Sequence, residues 1–148
     1  MRAPLLSPPA RLSAWPRQWP DQQALLERQH DRLEQRLLAL TSLHQPEAPT
    51  WDGGDLLSGD LACRRLLWAL RLHLRLEERW LDSRGCLCPA HRAAHRDAAR
   101  MALEGYGVSS GDRAARLAWL EEIKAWFFAH RDGVDARAYR LAHLASQR

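Results

Sequence analysis

Between Pro20 and the C-terminus the apolar residues recur every three or four positions and almost never every two, a period that points to an all-helical chain. Leu26, His30, Leu33, Leu37 and Leu40 share one stripe, which predicts helix A over roughly 21–43. Pro46, Pro49, Gly53 and Gly54 make the segment from Gln45 to Asp55 a loop. A second stripe through Leu66, Leu70, His73, Glu77 and Leu81 predicts helix B over about 55–83, with Gly85 as its stop. Pro89 suits the first turn of helix C, where its missing N–H is not needed, and His91, His95, Ala98 and Ala102 form the inner face. Gly105, Gly107 and Gly111 mark the next break, and Asp112 is the expected N-cap of helix D. Helix D carries Trp119, Ile123, Trp126 and His130 on its stripe. Asp132-Gly133 then reads as a helix stop, followed by a short helical piece with Tyr139 and Leu141. No strand is expected, because β-branched residues are scarce and the only valines are Val108 and Val134.

Four main helices on short to moderate connections favour an all-α, antiparallel up-down-up-down four-helix bundle with a short C-terminal helix. A length of 148 residues is that of one domain. Residues 1–20, interrupted by Pro4, Pro8, Pro9, Pro16 and Pro20, read as an extended N-terminal arm rather than a signal peptide, and 21–148 as the bundle. With 46% hydrophobic and 27% charged residues the chain is expected to fold and to be soluble. No run approaches about 20 uncharged apolar residues, so no membrane span, and no membrane partner, is expected. The net charge of +4 rests on arginine, with Lys124 as the only lysine. The arginines are interleaved with Asp and Glu, which reads as solvated helical faces rather than a nucleic-acid surface. Three cysteines, an odd number, argue against a disulfide scaffold and fit a reducing cytoplasm. Cys63 is expected in the core, and Cys86 and Cys88 in a surface loop. His44 and His143 are expected on the surface, and Trp68, Trp80, Trp119 and Trp126 in packing roles.

The remaining histidines form a constellation. Helix B offers His73-x-x-x-Glu77, helix C His91-x-x-x-His95, helix D His130 with Asp135 five residues later, and helix A His30. A step of four on an α-helix rises about 6 Å and turns about 40° beyond a full turn, so both side chains reach one point beside the helix. A step of five does not stay on one face of a regular helix, and Asp135 is expected to bend back from beyond the helix end. All seven groups lie on stripes that the neighbouring leucines, alanines and tryptophans mark as inward-facing. Unpartnered burial of so many polar groups would cost several kcal/mol, whereas metal binding would use them. Imidazoles with a minority of carboxylates and no thiolate suit iron, with zinc, copper or manganese as competitors. Two carboxylates can each bridge two ions, leaving five imidazoles to divide three and two. With a bridging oxide or hydroxide, one ion then keeps an open position where dioxygen could bind.

These residues resemble the hemerythrin family over most of the chain, from about Trp19 to Tyr139. Gln29-His30 is similar to the family's first ligand motif, His73 to Glu77-Glu78 to the His-x-x-x-Glu of its second helix, and His91 to His95 to its third-helix pair. Trp126 through His130 and Asp135 to Tyr139 resembles the signature Trp-x-x-x-His-x-x-x-x-Asp-x-x-x-Tyr. The resemblance implies two non-haem iron ions joined by an oxo or hydroxo bridge. It assigns His91, His95 and His130 to one iron, His30 and His73 to the other, and Glu77 and Asp135 as bridges. It implies reversible dioxygen binding at a five-coordinate iron for storage, delivery or scavenging, by a binding protein rather than an enzyme. Alternatives are a di-iron redox enzyme acting on peroxide or nitric oxide, and an oxygen or redox sensor signalling to a partner protein. Leu74, Trp126, Phe127 and Arg131 are the candidate pocket residues. Arg131 stands where the family commonly has isoleucine, and Leu74 where an aromatic is often found. Arg131 either enters the pocket or turns outward at the helix end, and outward is favoured because arginine is seldom buried unpaired.

Overall fold

A computed structural model describes residues 22–147, and among them every regular element is helical. The elements are α1 (Gln22–Leu43), α2 (Gly53–Ser83), α3 (Pro89–Val108), α4 (Arg113–His130), a π-helical turn (Arg131–Asp135) and α5 (Ala136–Ser146). The extended arm assigned to 1–20 lies outside the described residues. α1 packs on α2 and α4, α2 on α3, and α3 on α4, so the four main helices close a ring around one core. No helix of the described residues is long and apolar enough to cross a membrane.

The helix ends follow local chemistry. Asp52 and Asp55 form a capping box, each side chain accepting from the other's backbone N–H at 2.8 and 3.0 Å, which starts α2 two residues earlier than the glycines suggest. α2 ends where Gly85 takes a positive φ of 66° and the Cys86 N–H turns back to the Leu81 carbonyl at 2.8 Å. Pro89 occupies the first turn of α3 behind Cys88, and Asp112 caps α4 by accepting from the Ala115 N–H at 3.1 Å.

Two expected breaks are not breaks. Gly105 and Gly107 sit inside α3, which runs on to Val108. A Cβ at Gly105 would come within 2.3 Å of the Trp119 ring, so this glycine admits a tryptophan rather than ending a helix. Asp132-Gly133 does not stop the chain either, because the backbone continues through the π-helical turn into α5.

The interior is layered. One apolar cluster holds Leu33, Leu37, Cys63, Leu66, Leu70, Leu120, Ile123 and Phe127 among others. A second holds Leu26, Trp80, Leu81, Ala138, Tyr139 and Ala142. On each helix of the ring the polar residues come between or beside these sets, as in Leu70, then His73 and Glu77, then Trp80 on α2. Two sequence expectations are corrected here. His44 is 3% exposed, with Nδ1 donating to the Leu40 carbonyl at 2.7 Å and its ring edge-on to Trp51 at 4.7 Å. Trp68 is 58% exposed and packs into no core, whereas Trp80 and Trp119 are buried.

Candidate metal centre

Each helix of the ring delivers one or two groups to a single buried layer. His30 comes from α1, His73 and Glu77 from α2, His91 and His95 from α3, and His130 from the end of α4. Asp135 closes the π-helical turn. All seven are at most 5% exposed. The α-helical steps of four act as expected: His73 Nε2 lies 3.4 Å from Glu77 Oε2 on the same helix. The step of five works for a reason that differs from the expected bend beyond a helix end. Five residues of α-helix turn about 500°, leaving the side chains roughly 140° apart. A π-helical turn is wider and bonds i to i+5, so the fifth residue returns over the first. His130 Nε2 and Asp135 Oδ1 are accordingly 3.0 Å apart.

The ligand-capable atoms fall into two overlapping groups, in each of which all lie within 4.8 Å of one another. One comprises Glu77, His91, His95, His130 and Asp135, the other His30, His73, Glu77 and Asp135. The two carboxylates belong to both. His95 Nε2 is 3.1 Å from Glu77 Oε1, and His91 Nε2 is 3.0 Å from Asp135 Oδ1. On the other side His30 Nε2 is 3.2 Å from both Glu77 Oε2 and Asp135 Oδ2.

Closeness is not always hydrogen bonding in this layer. His30 Nε2, His73 Nε2 and Glu77 Oε1 are buried and make no hydrogen bond, although carboxylate oxygens or imidazole nitrogens stand at ordinary bonding distance. At these three atoms the approach has the distance of a hydrogen bond without its angles. His95 and His130 bring Nε2 atoms to 3.0 Å, and His130 and His91 to 3.2 Å, although each such contact can hold only one proton. Nitrogens and oxygens that converge in this way repel unless protons or a cation lie among them. The donor set, five imidazoles and two carboxylates, fits a transition-metal ion, and neither group includes a thiolate.

The outer ring nitrogens are held separately. His73 Nδ1 donates to Gln29 Oε1 at 2.8 Å, His95 Nδ1 to Glu78 Oε1 at 3.2 Å, and His30 Nδ1 lies 3.4 Å from Glu27 Oε2. An acceptor on Nδ1 places the proton there and leaves the Nε2 lone pair facing inward. Tyr139 donates its hydroxyl to Glu77 Oε2 at 2.5 Å. Burial and the adjacent Glu77 carboxylate push the Tyr139 phenol well above its usual range, so it remains a donor. These partners were not assignable from spacing. Their sequence signal is a place beside the ligands within the motifs quoted above: Gln29 precedes His30, Glu78 follows Glu77, and Tyr139 lies one helical turn beyond Asp135.

Among the protein groups alone, charge is retained by mutual contact. Burial opposes ionisation of Glu77, but the imidazoles of His30, His73, His91 and His95 hold its carboxyl well below the usual range. Burial likewise opposes charge on His30, and contacts with Asp135 and Glu77 outweigh it, raising this imidazole to about 9. His91 is raised to about 9 by the same two carboxylates against the same burial. His73 goes the other way: burial dominates and lowers it.

The wall beside the layer is apolar. Phe127 is 2% exposed and stands edge-on to His30 and His73 at 5.8 and 6.4 Å. Leu74 is buried nearby on α2, and Trp126 stacks on His130 at 4.5 Å. Arg131 is not part of this wall. Its guanidinium crosses to α1, 2.7 Å from Glu34, 2.8 Å from Asp31 and 3.3 Å from Glu27. The candidate pocket therefore loses Arg131, because three carboxylates on α1 draw it outward. No family model, curated protein or solved structure matches this chain.

Proposed function

We propose that this chain is a hemerythrin-like non-haem di-iron protein, folded as an antiparallel up-down-up-down bundle, that binds dioxygen reversibly. The observation that carries this reading is that Glu77 and Asp135 each belong to both groups of ligand atoms. Shared carboxylates between a three-imidazole and a two-imidazole set are what a pair of neighbouring ions needs. His91, His95 and His130 would hold one iron, and His30 and His73 the other. An ion held by His30 and His73 would have fewer imidazole ligands than one held by His91, His95 and His130. Two irons there would supply reversible two-electron chemistry toward dioxygen.

The chain's own residues support that use. Gln29 and Glu78 fix the rings of His73 and His95 with the Nε2 lone pairs inward. Tyr139 anchors one oxygen of Glu77, so the shared carboxylate keeps its orientation. Phe127 and Leu74 exclude water from the side of His30 and His73, where a bound small molecule would otherwise be protonated. The outward Arg131 keeps a cation away from that side.

The test is iron loading with metal analysis, followed by anaerobic reduction and dioxygen titration watched by visible absorption. Two irons per chain and a charge-transfer band that forms with dioxygen and disappears under vacuum are expected. Fewer than one iron per chain would overturn the di-iron centre. Two irons with fast irreversible oxidation and no such band would leave the centre standing and overturn reversible binding.

A further inference from the structure

The longest helix carries an outer face that the metal centre does not use. Along α2, Leu57, Leu61, Trp68 and Leu72 are 73%, 46%, 58% and 55% exposed. At about 100° per residue they fall within an arc of roughly 60°, on a line about 22 Å long. Arg64, Arg65, Arg75 and Arg79 are exposed on the same face, and the Arg71 guanidinium lies 5.0 Å over the Trp68 ring. From Leu56 to Arg79 each acid is engaged by a neighbouring helix. Glu77 is buried in the centre, Asp60 receives Arg116 and Tyr106, and Glu78 accepts from His95. The outer faces of α1 and α3 are mixed by contrast: Asp31 stands beside Arg28 and Arg32, and Asp97 and Glu104 beside Arg96 and Arg100.

We propose that this face of α2 docks the protein on an anionic lipid surface. The helix would lie flat, with Trp68 and the three leucines at the boundary of headgroups and acyl chains and the arginines on lipid phosphates. Tryptophan favours that boundary, and arginine keeps its stem along apolar surface while its head stays among phosphates. The face is a convex ridge rather than a groove. A bilayer accepts a ridge without complementary shape, whereas a protein partner would have to bring a matching cleft. A second copy of this chain would set the same four arginines against these and be repelled. The segment 1–21 carries Arg2, Arg11 and Arg17 against a single acid, Asp21, so its charge has the same sign as the face. A nucleic acid would use the arginines and leave four large apolar side chains in water. The expectation of no membrane partner rested on the lack of a spanning stretch, and peripheral docking needs none.

Vesicle co-sedimentation tests this with the full iron-loaded chain. Vesicles of phosphatidylcholine mixed with phosphatidylglycerol are compared with phosphatidylcholine alone. Binding to the anionic vesicles only is expected, weakening as salt is raised. Trp68→Ser should lower partitioning at least about tenfold, and Arg75→Gln about fivefold. A lipid-induced blue shift of tryptophan emission should vanish in Trp68→Phe. Both positions are exposed, and an unchanged helical signal and melting temperature would show that the three variants fold. No binding to anionic vesicles, or binding indifferent to these substitutions, would overturn the proposal. A lipid-free dimer abolished by Trp68→Ser, or duplex DNA binding with the same sensitivity, would overturn it in favour of that other occupant.

Discussion

The bundle buries charged side chains in two places, and it treats them differently. Arg116, 5% exposed, is partnered within the protein: one terminal nitrogen donates to the Tyr106 carbonyl at 2.8 Å, the other to Asp60 at 3.2 Å, and its flat face lies over the Tyr106 ring at 4.3 Å. Tyr106 in turn donates its hydroxyl to Asp60 at 2.9 Å. In the His/carboxylate layer the groups are equally close and more deeply buried, yet three of their polar atoms have no hydrogen bond. A structural polar cluster closes on itself. The His/carboxylate layer holds its groups near one another and leaves some of their polar atoms unpaired, as a site able to take a metal ion would. Hydrogen-bond direction, rather than burial or charge count, distinguishes the two.

Replacing one shared carboxylate should have the largest effect. Glu77→Ala removes a ligand from both groups, and iron affinity should fall by more than the roughly 10–100-fold typical of an outer-layer partner. Metal analysis after gel filtration would read this as loss of bound iron, and retention of two irons would break the contrast drawn here. Arg116→Met should do the opposite. It leaves Asp60 and the Tyr106 carbonyl without their cation and should cost about 3 kcal/mol of stability by thermal or denaturant unfolding, while iron stoichiometry stays unchanged. Asp60 is 38% exposed, so water moderates the loss.

A smaller change sharpens the role of the outer hydrogen bonds. Tyr139→Phe deletes only the hydroxyl that anchors Glu77, and should weaken iron binding by about tenfold with the fold intact. Competition against a chelator would measure it, and an unchanged affinity would show that Glu77 is oriented by other contacts. Arg131→Ile should matter least. Its guanidinium is 20% exposed and its acid partners more so, which limits the loss to about 1 kcal/mol. If iron content or the visible spectrum of the loaded protein also changed strongly, Arg131 would act on the centre and not merely tie the π-helical turn to α1.

How much was legible beforehand differs between helix interiors and helix contacts. The stripes of α1, α2 and α4, the caps at Asp112 and Gly85, and the inward placement of the five histidines follow from periods of three and four, which a sequence displays directly. Gly105 misleads because its reason is the Trp119 ring on another helix. Asp132-Gly133 misleads because its turn chemistry does not end the helix in the fold, where the chain passes through the π-helical turn into α5 and α5 packs on α2. His44 reads as a surface residue at a helix end, and only the approach of Trp51 from the following loop buries it. Trp68 reads as core from its type alone, whereas its position on α2 turns it outward.

The sequence by itself determines which residues share a helical face, because that depends only on the fixed rotation per residue, and so it specifies the set of seven candidate ligands. The tertiary structure decides what no period encodes: the π-helical turn that brings Asp135 back over His130, the acceptors behind His73 and His95, and the turn of Arg131 toward α1. The last two are set by distances between atoms far apart in the chain, and the first by a local winding that the period of three and four does not show. Such distances exist only once the helices have packed.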